Sequence, residues 1–154
     1  MTRTILLGAL GLVVLAALSG TALVRLAPMR AADWHVDPVL TERSGRPNDY
    51  RVGPGGDRTA AVARSTPEAA LTRLDAVAMA EPRVERLAGS VAEGRITYVQ
   101  RSAVMGFPDA ITVEAVPDGE DARLHVWSRS RYGMSDLGVN AARVARWLDA
   151  LGAT

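Results

Sequence analysis

The sequence predicts an α+β domain behind an apolar N-terminal segment. Three observations predict it. An uncharged run extends from Ile5 to Val24, two stretches with helical spacing bracket the second half of the chain, and between those stretches lie four segments with strand character. A helix, four antiparallel strands in a meander and a second helix make a two-layer sandwich with both helices on one face of the sheet. The division expected is residues 1–25 as transmembrane anchor or signal segment, 26–64 as extended linker and 65–154 as the α+β domain.

The uncharged run is about 20 residues long, which at ~1.5 Å rise spans ~30 Å, the hydrocarbon thickness of a bilayer. A cleaved export signal is the alternative, with Gly20-Thr21-Ala22 as the small-residue cleavage site. An uncleaved anchor is the preferred reading, because apolar residues continue past that site to Leu26. Arg3 on one side and Arg25 and Arg30 on the other leave the charge rule for orientation nearly tied. A short tail before a single export-like segment places the domain on the periplasmic side of the inner membrane, tethered, or soluble there after cleavage.

From Arg25 to about Ser65 neither period is sustained, and Pro28, Pro38, Pro47, Pro54 and the Gly53-Pro-Gly-Gly56 run predict an extended connector. Trp34, Val36, Val39 and Tyr50 are costly to leave in water, so the connector either lies in part across the domain or near the bilayer surface, or is disordered. Ser65-Thr-Pro-Glu68 starts a helix, with Ser65 or Thr66 as N-cap and proline in the first turn. Leu71, Leu74, Val77 and Ala78 give it an apolar stripe until Glu81-Pro82 ends it.

Residues 83–91 form the weakest strand. In the next, Ile96 and Tyr98 alternate with Thr97 and Val99; in the third, Ile111 and Val113 alternate with Thr112 and Glu114. The Pro117-Asp-Gly-Glu120 turn makes a hairpin with the fourth, where Leu124, Val126, Ser128 and Ser130 share one face and His125, Trp127, Arg129 and Arg131 the other. The closing helix, capped by Ser135 or Asp136, carries Val139, Arg143 or Val144, Trp147, Leu148 and Leu151 as its stripe.

Composition excludes several chemistries. All 18 basic residues are arginine, so lysine Schiff-base and general-base mechanisms are absent. There is no cysteine, which removes disulfides, thiolate nucleophiles and thiolate zinc sites. His35 and His125 have no ligand-like spacing, so no metal and no cofactor is expected. A formal net charge of +1 with no basic stripe argues against nucleic acid.

The junction from Arg129 to Asn140 concentrates the candidate chemistry. Arg129 and Arg131 share a strand face, Arg101 joins them from two strands' width away, and the helix N-terminus that follows also favours negative charge. The ligand-binding candidates are Arg101, Asp109, Arg129, Arg131, Asp136 and Asn140. The structural alternative is that Asp136 and Asp109 neutralise the arginines in a network that sets the turn, with Gly133 and Gly138 allowing it. Ser135 lacks a nearby histidine, and a hydrolase triad would have to recruit His125.

Ser128 to Val144, S-R-S-R-Y-G-M-S-D-L-G-V-N-A-A-R-V, resembles the C-terminal signature of a bacterial family known as domain of unknown function 1499. Tyr98 to Ala110 resembles that family's central arginine-containing strand, and Leu26 to Pro38 the juxtamembrane stretch of its membrane-anchored members. Two departures stand out: relatives carry R-S-R where this chain has Arg101-Ser102-Ala103, and a cysteine where it has Asp49. The resemblance implies a tethered domain and leaves its chemistry open. The function expected is a membrane-tethered periplasmic module binding an anionic ligand, lipid headgroup or envelope protein. The alternatives are an envelope enzyme with an arginine/aspartate site and a structural accessory subunit of a membrane complex.

Overall fold

The structure, a computed structural model, describes the backbone of residues 2–154 and the side chains from Leu10 onward apart from those of residues 13, 17 and 18. Its elements run α1 (Thr2–Arg25), α2 (Ala31–Trp34), β1 (Asp49–Val52), β2 (Ala61–Ala63), α3 (Pro67–Ala80), β3 (Val84–Ser90), β4 (Arg95–Arg101), β5 (Pro108–Asp118), β6 (Asp121–Ser130) and α4 (Val139–Leu151). The architecture is α+β with an antiparallel sheet, as the alternation predicts, but the sheet has six strands where four were expected.

The two additional strands come from the stretch read as connector. β1 pairs with β6 from Asp49 opposite Arg129 to Val52 opposite Val126, and β2 continues along the same edge with Ala61 opposite Leu124. Together they act as one edge strand interrupted by an excursion of residues 53–60. Strand order is β1-β6-β5-β4-β3, with β2 also on β6.

Alternation assigns the two sheet faces as expected. Ile96, Tyr98, Ile111, Val113, Leu124 and Val126 are buried under α3 and α4, whose Leu71, Leu74, Trp147 and Leu148 complete the core. Each such side chain contributes roughly 1.5–3 kcal/mol on leaving water. Tyr98 meets Trp147 edge-on at 5.5 Å and donates to Asp75 Oδ1 at 2.9 Å, so its polar end is satisfied at the rim. Thr66 caps α3, its hydroxyl accepting from Ala69 N at 3.3 Å, with Pro67 in the first turn. The cap of α4 lies later than predicted. Gly138, with φ of 81°, holds the cap position, and Asp136 acts ahead of it by accepting from the N–H groups of Gly138 and Asn140.

α1 is a single helix of 24 residues. The apolar segment from Ile5 that motivates the anchor reading falls in part outside the described side chains, and among the described residues no helix is long and apolar enough to cross a membrane.

The sheet face away from α3 and α4 is covered by residues 27–39, which cross it as a strap. The strap starts at the end of the sheet where β4 and β6 finish, with Arg101 donating to Ala27 O at 3.2 Å and Arg131 to Pro28 O. Midway, Trp34 O accepts from Arg129 at 2.7 Å and Thr112 at 3.3 Å, and His35 Nδ1 lies 2.8 Å from Thr97 Oγ1. At the far end Arg95 donates to Asp37 Oδ2 at 2.7 Å. Gly89 makes room for the strap: at φ of 83°, a Cβ there would fall 2.8 Å from the His35 ring and 2.1 Å from Arg95 O.

Candidate functional site

The six candidate residues separate onto the two sides of the sheet. Arg101, Arg129 and Arg131 lie on the strap side and spend hydrogen bonds on strap carbonyls. Asp109 and Asn140 lie on the helix side, gathered around Arg143. Asp136 closes the turn before α4 through Asn140 N at 2.7 Å.

The helix-side group is a closed network. Arg143 donates to Asp109 Oδ2 at 2.7 Å, Gln100 Oε1 at 2.5 Å, Ser128 Oγ at 2.8 Å and Asn140 Oδ1 at 2.7 Å. Asn140 in turn donates to Asn48 O at 3.0 Å and Ser130 Oγ at 3.1 Å, tying α4 to the end of β6 and to the residue before β1. The ion pair is buried, with side-chain exposures of 4% for Arg143 and 13% for Asp109. Every charge in this group has its counter-charge.

The strap side is different. Arg129 is 9% exposed, and its described hydrogen bonds all run through Nη2, to Trp34 O and to Thr112 Oγ1 at 3.1 Å. Its Nε is buried without a partner, and among the described residues no carboxylate lies within ion-pair distance of it. Burial, aided by the neighbouring Arg51 charge and opposed by Asp49, brings its pKa down to about 10, which still leaves it cationic at neutral pH. Arg51 is 5% exposed and resembles it: its Nε is also unpartnered, and its Nη groups donate to Val39 O and Thr41 O. Burial and then the charge of Arg43 lower the Arg51 pKa.

Trp127 touches both, facing Arg51 across the β1–β6 pair and preceding Arg129 by two residues on β6. Its ring has the Arg51 guanidinium at 3.9 Å and that of Arg129 at 4.1 Å, and its indole N–H donates to Asp49 Oδ2 at 2.7 Å. Asp49 is held by Arg43, at 2.6 and 3.1 Å, so its charge is already answered. A cavity of about 280 Å³ opens here between strap and sheet, lined by Trp34 and Trp127 together with Arg46, Arg129 and Arg131. Asp33, Glu42 and Asp49 line it as well. Such an arrangement can hold an anion: a buried fork of N–H donors, flat aromatic walls, and a positive charge whose hydrogen bonds go only to a carbonyl and a hydroxyl.

Sequence reasoning found Arg129 and Arg131 from the alternation of β6. It missed Arg51, which sits in a four-residue strand, and Arg143, which reads as one more position in a helix stripe. Asp49-Tyr-Arg-Val52 does alternate, but over too few residues to stand out from the prolines and glycines around it.

A family model described as "Protein of unknown function (DUF1499)" matches residues 40–151. The chain belongs to the DUF1499 family. The matched region holds all six strands with α3 and α4, and begins just after the strap. No curated protein matches the chain. Among solved structures, the chain is similar to TTHA0849 from Thermus thermophilus, at 12% identity over 67% of this chain and 93% of that one, with a TM-score of 0.34. A likeness that distant assigns neither fold nor activity.

Proposed function

We propose that this protein is a membrane-tethered periplasmic domain that binds an anionic group, carboxylate or phosphate, in the cavity between strap and sheet. One observation carries the reading: Arg129 is a buried cation with an unpartnered Nε and, among the described residues, no carboxylate within ion-pair distance, and it lines an open cavity. Burying an ion without its counter-charge costs several kcal/mol, and a bound anion offsets that cost. The uncharged, export-like run from Ile5 to Val24 supports the tether and the periplasmic side.

The test is the thermal unfolding of the full chain in neutral detergent at matched ionic strength, in chloride, acetate and phosphate, and with phosphatidylglycerol in the micelle. At a Kd of about 1 mM, 100 mM phosphate raises stability by ~2.7 kcal/mol. That is a rise in Tm of roughly 8 °C for a domain of this size. Arg129→Met keeps the stem and removes the charge, and should abolish the rise; Arg129→Lys should retain part of it. Free phosphate and lipid arms separate the two sources of the same chemistry. No rise over chloride in any arm, or an equal rise in Arg129→Met from general salt stabilisation of the folded state, overturns the reading.

A further inference from the structure

Most of the exposed apolar side chains of the domain gather at one end of the sheet, Leu40 and Met79 lying elsewhere. Among the described residues, Val104, Met105 and Phe107 lie on the loop joining β4 to β5, and Tyr132, Met134 and Leu137 on the loop joining β6 to α4. Both loops leave the same end of the sheet, and they meet where Phe107 and Tyr132 approach to 6.1 Å. Leu137 is 92% exposed, Val104 76% and Met134 70%. Leu137 also holds φ at 54°, a conformation that costs a branched side chain about 1–2 kcal/mol. Ser135 Oγ and Asp136 Oδ1 accept from the N–H groups of Leu137 and Gly138 and so hold a turn that displays the leucine outward.

This end of the sheet is where α1 arrives. Arg25, the last residue of α1, donates to Val104 O at 2.5 Å, and Gly106 lets the Arg25 stem lie against the loop, since a Cβ there would fall 2.5 Å from Arg25 Cγ. Leu23 and Leu26, 74% and 80% exposed, continue the apolar surface of α1 to the level of the loop. Arg101 and Arg131 clamp Ala27 and Pro28, leaving only Leu26 between the helix and its first clamped residue. The loops therefore stand at the height at which the helix ends. Charge agrees with an anionic surface: Arg25, Arg83 and Arg101 line an open cleft of about 430 Å³ beside the β4–β5 loop, against the single carboxylate of Glu85. Asp136 is engaged by its own turn, and Asp109 by Arg143.

We infer that the loops at 102–107 and 132–139 dock into the headgroup region of the bilayer that α1 enters, with Val104, Met134 and Leu137 inserted and the arginines facing anionic lipid. The inference rests on the tether proposed above and adds a second, fold-borne contact with the same membrane. Apolar groups held this way reach ~5–10 Å into the headgroup and acyl boundary. The consequence is a set orientation: the strap side and its cavity are carried at a constant height over the membrane instead of swinging on a flexible linker.

The chain contains no cysteine, so single cysteines at positions 104, 134 and 137 can be spin-labelled in the full chain without background. A label at 120, on the hairpin turn at the opposite end of the sheet, is the control. In vesicles of phosphatidylethanolamine and phosphatidylglycerol, labels at Val104→Cys, Met134→Cys and Leu137→Cys should collide severalfold more with lipid-dissolved oxygen, relative to an aqueous nickel chelate, than the label at Glu120→Cys. All four sites are exposed, so the labels leave the core intact. Labels as wet as the control, while the chain floats with the vesicles, overturn the docking and leave the tether standing. Failure to float overturns both. Shielding in native membranes but not in pure lipid assigns the surface to a protein and overturns lipid as the occupant.

Discussion

Replacing Arg143 by methionine removes one side chain and strips four acceptors at once. Methionine matches the stem in length and keeps the apolar contacts, so the loss is electrostatic. Asp109 then keeps a carboxylate at 13% exposure with no cation, at a cost of ~3–5 kcal/mol for breaking a buried pair. Gln100 Oε1 loses its described donor, worth about 1–3 kcal/mol more. Asn140 Oδ1 still accepts from Ser128 at 2.6 Å and adds little. The expected loss is ~4–8 kcal/mol, a fall in Tm of roughly 12–25 °C for a domain of this size. Urea unfolding of the full chain in detergent, followed by tryptophan emission, measures it. The decisive comparison adds Asp109→Asn: if the cost is the orphaned charge, the double variant should recover ~2 kcal/mol or more over Arg143→Met alone. A single variant within about 1 kcal/mol of the parent, or a double variant whose loss is the sum of the two singles, would refute the reasoning.

Two further expectations concern the strap and the sheet beneath it. Gly89→Ala places a Cβ 2.1 Å from Arg95 O and 2.8 Å from His35 at a positive φ, so it should cost ~2–4 kcal/mol and speed amide hydrogen exchange across residues 34–39; unchanged exchange would show that His35 does not seat the strap. Burial, opposed by Glu114 and aided by Arg123, lowers the His125 pKa, so the unfolded chain binds the extra proton first. Stability is then complete above the unfolded value of ~6.5 and declines as pH falls through it toward the lower folded value. The Tm of the parent should drop more between pH 7.5 and 5.5 than that of His125→Asn, and parallel slopes would count against this assignment.

How much of this was legible in the sequence follows from where the information lies. The faces of β4, β5 and β6 were, because Ile96/Tyr98, Ile111/Val113 and Leu124/Val126 alternate over enough residues to exceed chance, and α3 announced itself through Thr66 and Pro67. β1 and β2 were not. They are four and three residues long, separated by a glycine-rich excursion, and take their partner from a strand some 60–80 residues further along, where local periodicity carries no signal. The path of the strap was invisible for another reason. Ala27, Pro28, Trp34, Val39 and Thr41 are gripped by their carbonyl oxygens, which every residue possesses, so the gripping arginines show in the sequence and the gripped positions do not. The arginine face was foreseen, and what most of it holds was not.

The contrast between Arg143 and Arg129 is what separates scaffold from site in this chain. Both are buried arginines, and both touch β6. Arg143 meets a carboxylate, a hydroxyl and two amide oxygens in fork geometry, so its charge is balanced inside the fold and its removal should register as stability alone. Arg129 meets a carbonyl and a hydroxyl through one nitrogen, keeps Nε unpaired beside a second such arginine, and faces a cavity. Carbonyl dipoles hold the strap but supply only partial charge, so an anion can add to what they do. Arginine suits both tasks, since one edge of a planar fork can hold backbone while another waits for ligand, which an ammonium point charge does less well. The two substitutions to methionine should therefore differ in kind: Arg143→Met should lower stability equally in chloride and in phosphate, whereas the effect of Arg129→Met should depend on which anion is present.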